Sequence, residues 1–286
     1  TNYLVRQPHR KMELKEYSEL TLCDDFLFGH VMEDSNLCKQ LLEIILGVKI
    51  RKIVYIKPQE TVKVAIKARG IRLDVYVEDD QETIYNIEMQ TTNPGNLPRR
   101  TRYYQGVIDI NSLHKGVDYD ELNNCFIIFI CTNDIFHKDR FVYTFQNICV
   151  EEPGLKLGDG TTKIFLNING SKGDISLELA AFLHYLKTGD VSDEYTNNLS
   201  KAVAAAKNNE EWEAEYVRYY ADLMDKFKEG KSEGLAEGDN IATIRSLRGL
   251  MNKSKCSLDE AMETLDVPSD MREFCRNVFQ KKTANG

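Results

Sequence analysis

Apolar and polar side chains alternate along two adjacent segments of the chain, residues 72–79 (RLDVYVED) and 83–90 (TIYNIEMQ). A period of two residues predicts β-strands, and the acidic residues between the segments predict a hairpin turn. Residues two apart share one face of a strand, so Glu88 and Gln90 point the same way. A tight hairpin can place Asp74 beside them. We therefore expect a carboxylate from each strand to meet at one point.

The surrounding pattern predicts helices interspersed with strands. Apolar residues at helical spacing follow a cap at Thr21 or Asp24, with a candidate break at 34–35 and a stop at Gly47. A β pattern then covers 50–66. Further helices are predicted at 98–113, 175–186 and 195–228, and further strands at 125–131, 141–150 and 162–168.

The order of these elements is typical of an α/β or α+β fold with a mixed sheet. Residues 125–131 (CFIIFIC) are apolar throughout, as in a strand buried on both faces, so helices should cover both sides of the sheet. No strand is predicted after residue 168. The expected domains are therefore an α/β domain over 1–190 and a helical C-terminal region over 191–286.

Within the C-terminal region, Glu-Gly pairs recur every four residues across 229–238. Glycine costs about 1 kcal/mol per residue in a helix, which favours a frayed or partner-stabilised linker over a close-packed helix. Short helices are expected beyond it, at 241–251, 257–265 and 269–279. The last two are more typical of a small helical packing module than of a helix-turn-helix, because the final helix carries little positive charge.

Composition excludes several classes of protein. The 286 residues contain no run of about 18 apolar residues, so no membrane span is expected. Seven cysteines without a CxxC pair, and five scattered histidines, argue against a disulfide framework and a zinc site. No glycine-rich phosphate loop is present, so no nucleotide cofactor is expected. The N-terminus lacks the apolar stretch of a signal peptide, which together with the cysteines favours a cytoplasmic location.

The net charge of −8 hides an uneven distribution. Eight basic residues and one acid lie between Lys49 and Arg72, whereas 190–239 carries thirteen acids and six bases. The basic segment, and the arginines that follow Pro98 at a predicted helix start, could contact a phosphate backbone. Solvated surface charges would explain both equally well.

Two close carboxylates on the hairpin repel each other, and the pKa of each would be raised unless a cation lay between them. A hard divalent cation such as Mg2+ takes oxygen ligands of this kind. An exposed strand face that carries Asp and Glu is the simpler alternative. The pattern alone leaves both open.

An ordered set of segments nevertheless resembles one family. The set comprises DDFLFGHVM, LLEIILG, IRLDVYVED, YNIEMQ, RRTRYYQGVID and FIIFIC. It resembles the Rpn-type recombination-promoting nucleases, described as PD-(D/E)xK nuclease family transposases, over about residues 20–186. The Glu-Gly tract and the SLDEAMETLDVP helix pair are similar to the family's usual tail. Single segments are weak signals, but the order of Asp, ExQ and RxRYY is fairly specific.

The resemblance implies a restriction-endonuclease-like core, a mixed β-sheet flanked by helices, that cleaves DNA phosphodiester bonds with Mg2+ or Mn2+. Asp74 and Glu88 would bind the metal. The main-chain carbonyl of Met89 could add a ligand, and Gln90 takes the place of the motif's lysine. Leu73, not proline, precedes the aspartate. Because Gln90 is neutral, water positioning would replace charge stabilisation, and slower chemistry is expected.

Other residues are implied by the same resemblance. Arg100, Arg102 and Tyr104 would hold the DNA backbone, and either Asp25 or Glu33 would complete the site from the first helix. The leading hypothesis is a metal-dependent DNA endonuclease that promotes recombination or transposition. The alternatives are a DNA-binding or protein-interaction module with a catalytically weakened core, and a scaffold that forms a homodimer through its C-terminal helices.

Overall fold

The computed structural model describes residues 15–62, 71–113 and 116–283. The helices are α1 (Asp25–Val31), α2 (Ser35–Leu46), α3 (Leu97–Ser112), α4 (Leu177–Thr188), α5 (Glu194–Lys207), α6 (Glu210–Ser254), α7 (Leu258–Thr264) and α8 (Ser269–Thr283). The strands are β1 (Ile53–Val62), β2 (Ile71–Asp79), β3 (Ile84–Gln90), β4 (Cys125–Cys131), β5 (Val142–Phe145) and β6 (Thr161–Asn167). Part of the predicted basic segment, including Lys63, Lys67 and Arg69, lies outside the described residues.

The six strands form one mixed sheet in the order β1-β2-β3-β4-β6-β5. The first three are antiparallel neighbours, β3, β4 and β6 run parallel, and β5 is antiparallel to β6 at the edge. The central strand β4 is buried at every position except Phe126, which is half-buried, so the prediction of a doubly covered strand is confirmed. A mixed sheet flanked by helices and followed by a helical region confirms the predicted restriction-endonuclease-like fold.

Capping residues explain where the first helices divide and end. The Asp34 side chain accepts hydrogen bonds from the backbone N–H groups of Asn36 (2.8 Å) and Leu37 (3.1 Å), and so starts α2. This confirms the predicted break at 34–35. Gly47 ends α2 with a φ of 67°, a left-handed conformation that glycine adopts without strain.

Helices α1 and α3 both pack against the sheet that contains the hairpin. α3 packs on the sheet through Tyr104, Val107 and Ile108, next to Phe129 of β4. α1 contacts β1, β2 and β3, and α5 packs against α1, α2 and α4. The start of α1 and the start of α3 are thereby both fixed near the end of β3.

Four predicted elements differ in the structure. The helix expected over 195–228 is divided at residues 208–209 between α5 and α6, and the separate helix expected over 241–251 is part of α6. The strand expected over 141–150 is only four residues long, as β5, and the chain then turns. The prediction of a linker over 229–238 is wrong, since α6 continues through the Glu-Gly tract. Glu precedes each glycine, and Lys231, Leu235 and Ala236 lie between them; these strong helix formers offset the local cost of glycine.

The chain divides into two compact units, Thr1–Tyr216 and Val217–Gly286. The described part of the first contains the sheet and α1 to α5. The second has a small apolar core of its own, which includes Leu247, Ala261, Met262 and Cys275. The predicted domain boundary at residue 190 stays a prediction.

Candidate active site on the central hairpin

The register of the β2–β3 hairpin brings two acids together. Val75 pairs with Ile87, so Asp74 and Glu88 are opposite each other one residue further along. The backbone N–H of Met89 donates to Asp74 Oδ2 at 2.9 Å, and the backbone N–H of Asp74 donates to Glu88 Oε1 at 3.2 Å. A backbone N–H group of each strand therefore binds the carboxylate carried by the other strand. The predicted convergence of these two carboxylates is confirmed, while their chemical role stays a prediction.

Burial makes this pair electrostatically costly. Asp74 is 9% exposed and Glu88 is 3% exposed. Loss of hydration raises the pKa of Glu88 well above its usual value, and the negative charge of Asp74 raises it further. The guanidinium of Arg100 acts in the opposite direction. A cation between the two acids would relieve their repulsion, which is the condition that favours a bound metal ion.

Arg100 reaches this pair from the first turn of α3. Its Nη1 donates to Gln90 Oε1 at 2.8 Å, and its Nη2 donates to the Tyr104 hydroxyl at 2.7 Å and lies 3.5 Å from Glu88 Oε2. The guanidinium also lies over the Tyr104 and Phe129 rings, at 5.2 and 5.4 Å from their centroids. These contacts fix the orientation of the positive charge at the end of β3.

The acids open into a cleft of about 350 Å³. Its lining residues are Cys23, Asp24, Asp25, Asp74, Glu88, Met89, Gln90, Thr91 and Arg100. Of the two acids proposed to complete the site, Asp25 lines this cleft as the first residue of α1. Glu33 lies just beyond the other end of α1, and its Oε1 is 2.7 Å from His30 Nδ1.

The other two predicted DNA-binding residues, Arg102 and Tyr104, differ in solvent exposure. The Arg102 side chain is exposed on α3 and does not line the cleft. Tyr104 is buried, with its hydroxyl bonded to Arg100, so it can contact DNA only through that arginine. Burial, followed by the charge of Glu88, raises the pKa of Tyr104, which keeps the hydroxyl protonated.

The donor set determines which metal ion could fit. Within the described residues, no three or more His, Cys, Asp or Glu side chains are arranged to hold a metal ion. A closed structural site is therefore not supported. Two carboxylates beside a solvent-open cleft suit Mg2+, which is often bound through one or two carboxylates and keeps several water molecules.

Sequence reasoning missed three aspects of this cleft. The sequence predicts Asp24 only as a helix cap, but Asp24 lines the cleft while accepting hydrogen bonds from Lys15 Nζ at 2.6 and 2.9 Å. Cys23 and Thr91 line it as well. Their positions next to predicted site residues were the available signal. The contact between Arg100 and Gln90 had no signal, because it depends on how α3 packs on the sheet.

Comparison with known proteins identifies the family. A family model described as PD-(D/E)XK nuclease family transposase matches residues 25–228, more than two thirds of the chain. The chain belongs to this family. Membership implies a nuclease with DNA as its substrate, and nucleases of this family generally use divalent metals. The match includes the hairpin, α3 and every residue that lines the cleft except Cys23 and Asp24.

Comparisons with curated proteins and with solved structures found no match. Among the helices of the described ranges, none is both long and apolar enough to cross a membrane.

Proposed function

We propose that the protein is a metal-dependent DNA endonuclease that hydrolyses phosphodiester bonds, with a role in recombination or transposition. The observation that carries the proposal is the buried pair of Asp74 and Glu88, whose carboxylates lie side by side in a cleft. Burying two negative charges side by side lowers the stability of the folded state unless a bound ligand compensates them. Membership of the family implies DNA as the substrate. A divalent ion bound between these acids would be suited to contact a DNA phosphate.

In this proposal Asp74, Glu88 and the main-chain carbonyl of Met89 hold Mg2+ or Mn2+, and Asp25 completes the cleft from α1. The ion, when bound, would lower the pKa of water and offset negative charge on the phosphate. Gln90 orients groups at the end of β3 through its amide, which donates to the Thr92 carbonyl at 2.8 Å.

DNA would approach along α3. Arg102 is exposed there and would bind a backbone phosphate, and Tyr104 would act indirectly by orienting Arg100. Of the basic residues before the hairpin, Lys49 and Arg51 lie at the turn, at the opposite end from the paired acids, and a DNA contact through the rest of that segment stays a prediction. A homodimer and a cytoplasmic location also stay predictions.

The second candidate function is DNA or protein binding by a catalytically weakened core. The neutral side chain of Gln90 favours it, because this position next to the paired acids carries no charge of its own. In that case the protein would bind a duplex but not cut it.

A plasmid-nicking assay tests the two proposals together. Wild-type protein and Glu88→Ala are compared at low salt with Mg2+ or Mn2+, since salt weakens phosphate contacts steeply. Cutting by wild type alone supports the endonuclease. If both proteins are silent while the wild type still retards duplex DNA on a gel, the binding module is selected. Equal cutting by both would show that the activity does not come from this site.

A further inference from the structure

The cleft has an unusual charge balance for a site that must receive a phosphate. Four of its lining residues are acids: Asp24, Asp25, Asp74 and Glu88. Among the described residues that line it, Arg100 is the one basic side chain. A DNA phosphate that enters the cleft therefore meets Arg100 as the one basic lining side chain of the described residues, while Lys15, which does not line the cleft, is paired with Asp24.

Two neighbouring side chains fix the position of the Arg100 guanidinium. Gln90 Oε1 accepts from Nη1 and the Tyr104 hydroxyl accepts from Nη2. The Gln90 amide is itself fixed, because its Nε2 donates to Thr92 O at 2.8 Å and to Thr92 Oγ1 at 2.9 Å. This leaves the Gln90 carbonyl oxygen directed at the arginine. A positively charged side chain at residue 90 could not accept that hydrogen bond.

The guanidinium also keeps donors for a ligand. It carries five N–H groups. The hydrogen bonds to Gln90 and Tyr104 use one on each terminal nitrogen, and Nη2 also lies 3.5 Å from Glu88 Oε2, which leaves N–H groups on Nη1 and Nε. The Arg100 side chain is 32% exposed. The remaining N–H groups can donate to a phosphate oxygen, for which the planar fork of arginine is well suited.

We propose that Arg100 is a catalytic residue that binds the phosphate being cut, and that Gln90 positions it; this assignment rests on the proposed endonuclease function. In hydrolysis, a water oxygen forms a bond to phosphorus, and the bond from phosphorus to the leaving oxygen breaks. The leaving oxygen keeps the electron pair and takes a proton from solvent, while the attacking water loses its proton to solvent. Negative charge grows on the phosphate oxygens in this step, and Arg100 stabilises it.

The proposal separates Arg100 from an ordinary DNA-binding arginine. Arg100→Met should slow cutting at saturating duplex by about 100-fold or more, as loss of one transition-state donor does elsewhere. With Ca2+ in place of Mg2+, it should change the dissociation constant for duplex by less than about tenfold, because one of several phosphate contacts is lost. Arg102→Met should act mainly on that dissociation constant. Arg276→Met, which removes an exposed arginine paired with Asp259, is the matched charge control.

A double-mutant cycle gives the sharpest test. Gln90→Lys alone should slow cutting, because it removes the acceptor for Arg100 and places a second cation beside it. In the Arg100→Met background the same change should speed cutting, by about tenfold, since it returns a positive charge to the vacated space. Arg100→Lys should cut faster than Arg100→Met. Melting temperatures of all variants show whether a loss of cutting comes from unfolding.

The possible results separate the assignment of Arg100 from the proposed endonuclease function. Normal cutting by Arg100→Met, or a loss of duplex binding as large as the loss of cutting, would overturn the assignment while leaving the endonuclease intact. Additive effects of Gln90→Lys and Arg100→Met would also overturn it. A wild-type protein that does not cut would instead contradict the proposed function itself, and the assignment with it.

Discussion

The two ends of the β2–β3 hairpin both bury carboxylates beside a cleft, but in opposite ways. At the turn, Asp79 Oδ1 accepts the backbone N–H groups of Gln81 and Thr83, both at 2.9 Å, and Oδ2 accepts the Tyr85 hydroxyl at 2.7 Å. The carboxylate closes its own turn. The Asp79 carboxylate is bound by neutral donors from the same hairpin.

At the other end, Glu88 lies against a second acid, Asp74, and burial together with that charge raises the Glu88 pKa. The cleft at the turn is the larger of the two, at about 530 Å³ against about 350 Å³ at the paired acids. The raised pKa of Glu88 beside a second acid, and not the cleft volume, is what favours the paired acids as the proposed site. The buried acid at the turn closes the hairpin, and the buried pair is the proposed ligand site.

The largest expected effect separates the two ends by activity. Asp74→Asn should reduce nicking by at least about 100-fold, because it removes a charge that holds the metal ion needed for hydrolysis. Asp79→Asn, the same chemical change on the same strand, should leave nicking measurable at a temperature where the variant is folded. Similar rates for both variants would erase the distinction.

The next effect separates them by stability. Asp79→Asn should lower the free energy of unfolding by about 1.5–3 kcal/mol, since hydrogen bonds to a buried charged acceptor are weakened. Urea unfolding monitored by circular dichroism measures the change. Asp74→Asn, which relieves repulsion with Glu88, should not lose stability to the same extent. A larger loss in Asp74→Asn would contradict the comparison.

The sequence predicted the hairpin well because its information is local. Alternation fixed which side chains share a face, and the acidic turn fixed the register, so the meeting of Asp74 and Glu88 followed. The contact of Gln90 with Arg100 could not be predicted, since it depends on the packing of α3 over β4. That Asp25 lines the cleft while Glu33 does not also depended on the placement of α1. The Glu-Gly tract misled for a different reason: the local cost of glycine was outweighed by its helix-forming neighbours.

A smaller effect is the pH dependence of stability without metal. The folded protein binds the Glu88 proton more tightly than the unfolded chain, whose Glu88 has the ordinary pKa near 4.5. Stability from this group is therefore fully present below that pH and is lost as pH rises through the folded pKa. The melting temperature of metal-free Glu88→Gln should exceed that of wild type by a margin that grows from pH 4.5 upwards. A margin independent of pH would show that the Glu88 pKa is not raised.

The most direct test of the paired acids as a metal site is the melting temperature of wild type and Glu88→Gln, with and without saturating Mg2+ at one neutral pH. An ion at 100 times its dissociation constant stabilises the folded state by about 2.7 kcal/mol, which corresponds to a rise of several degrees. We predict this rise in wild type and in Asp79→Asn, and its absence in Glu88→Gln. An equal rise in wild type and Glu88→Gln, or none in wild type, would contradict the assignment of Asp74 and Glu88 as the metal-binding pair.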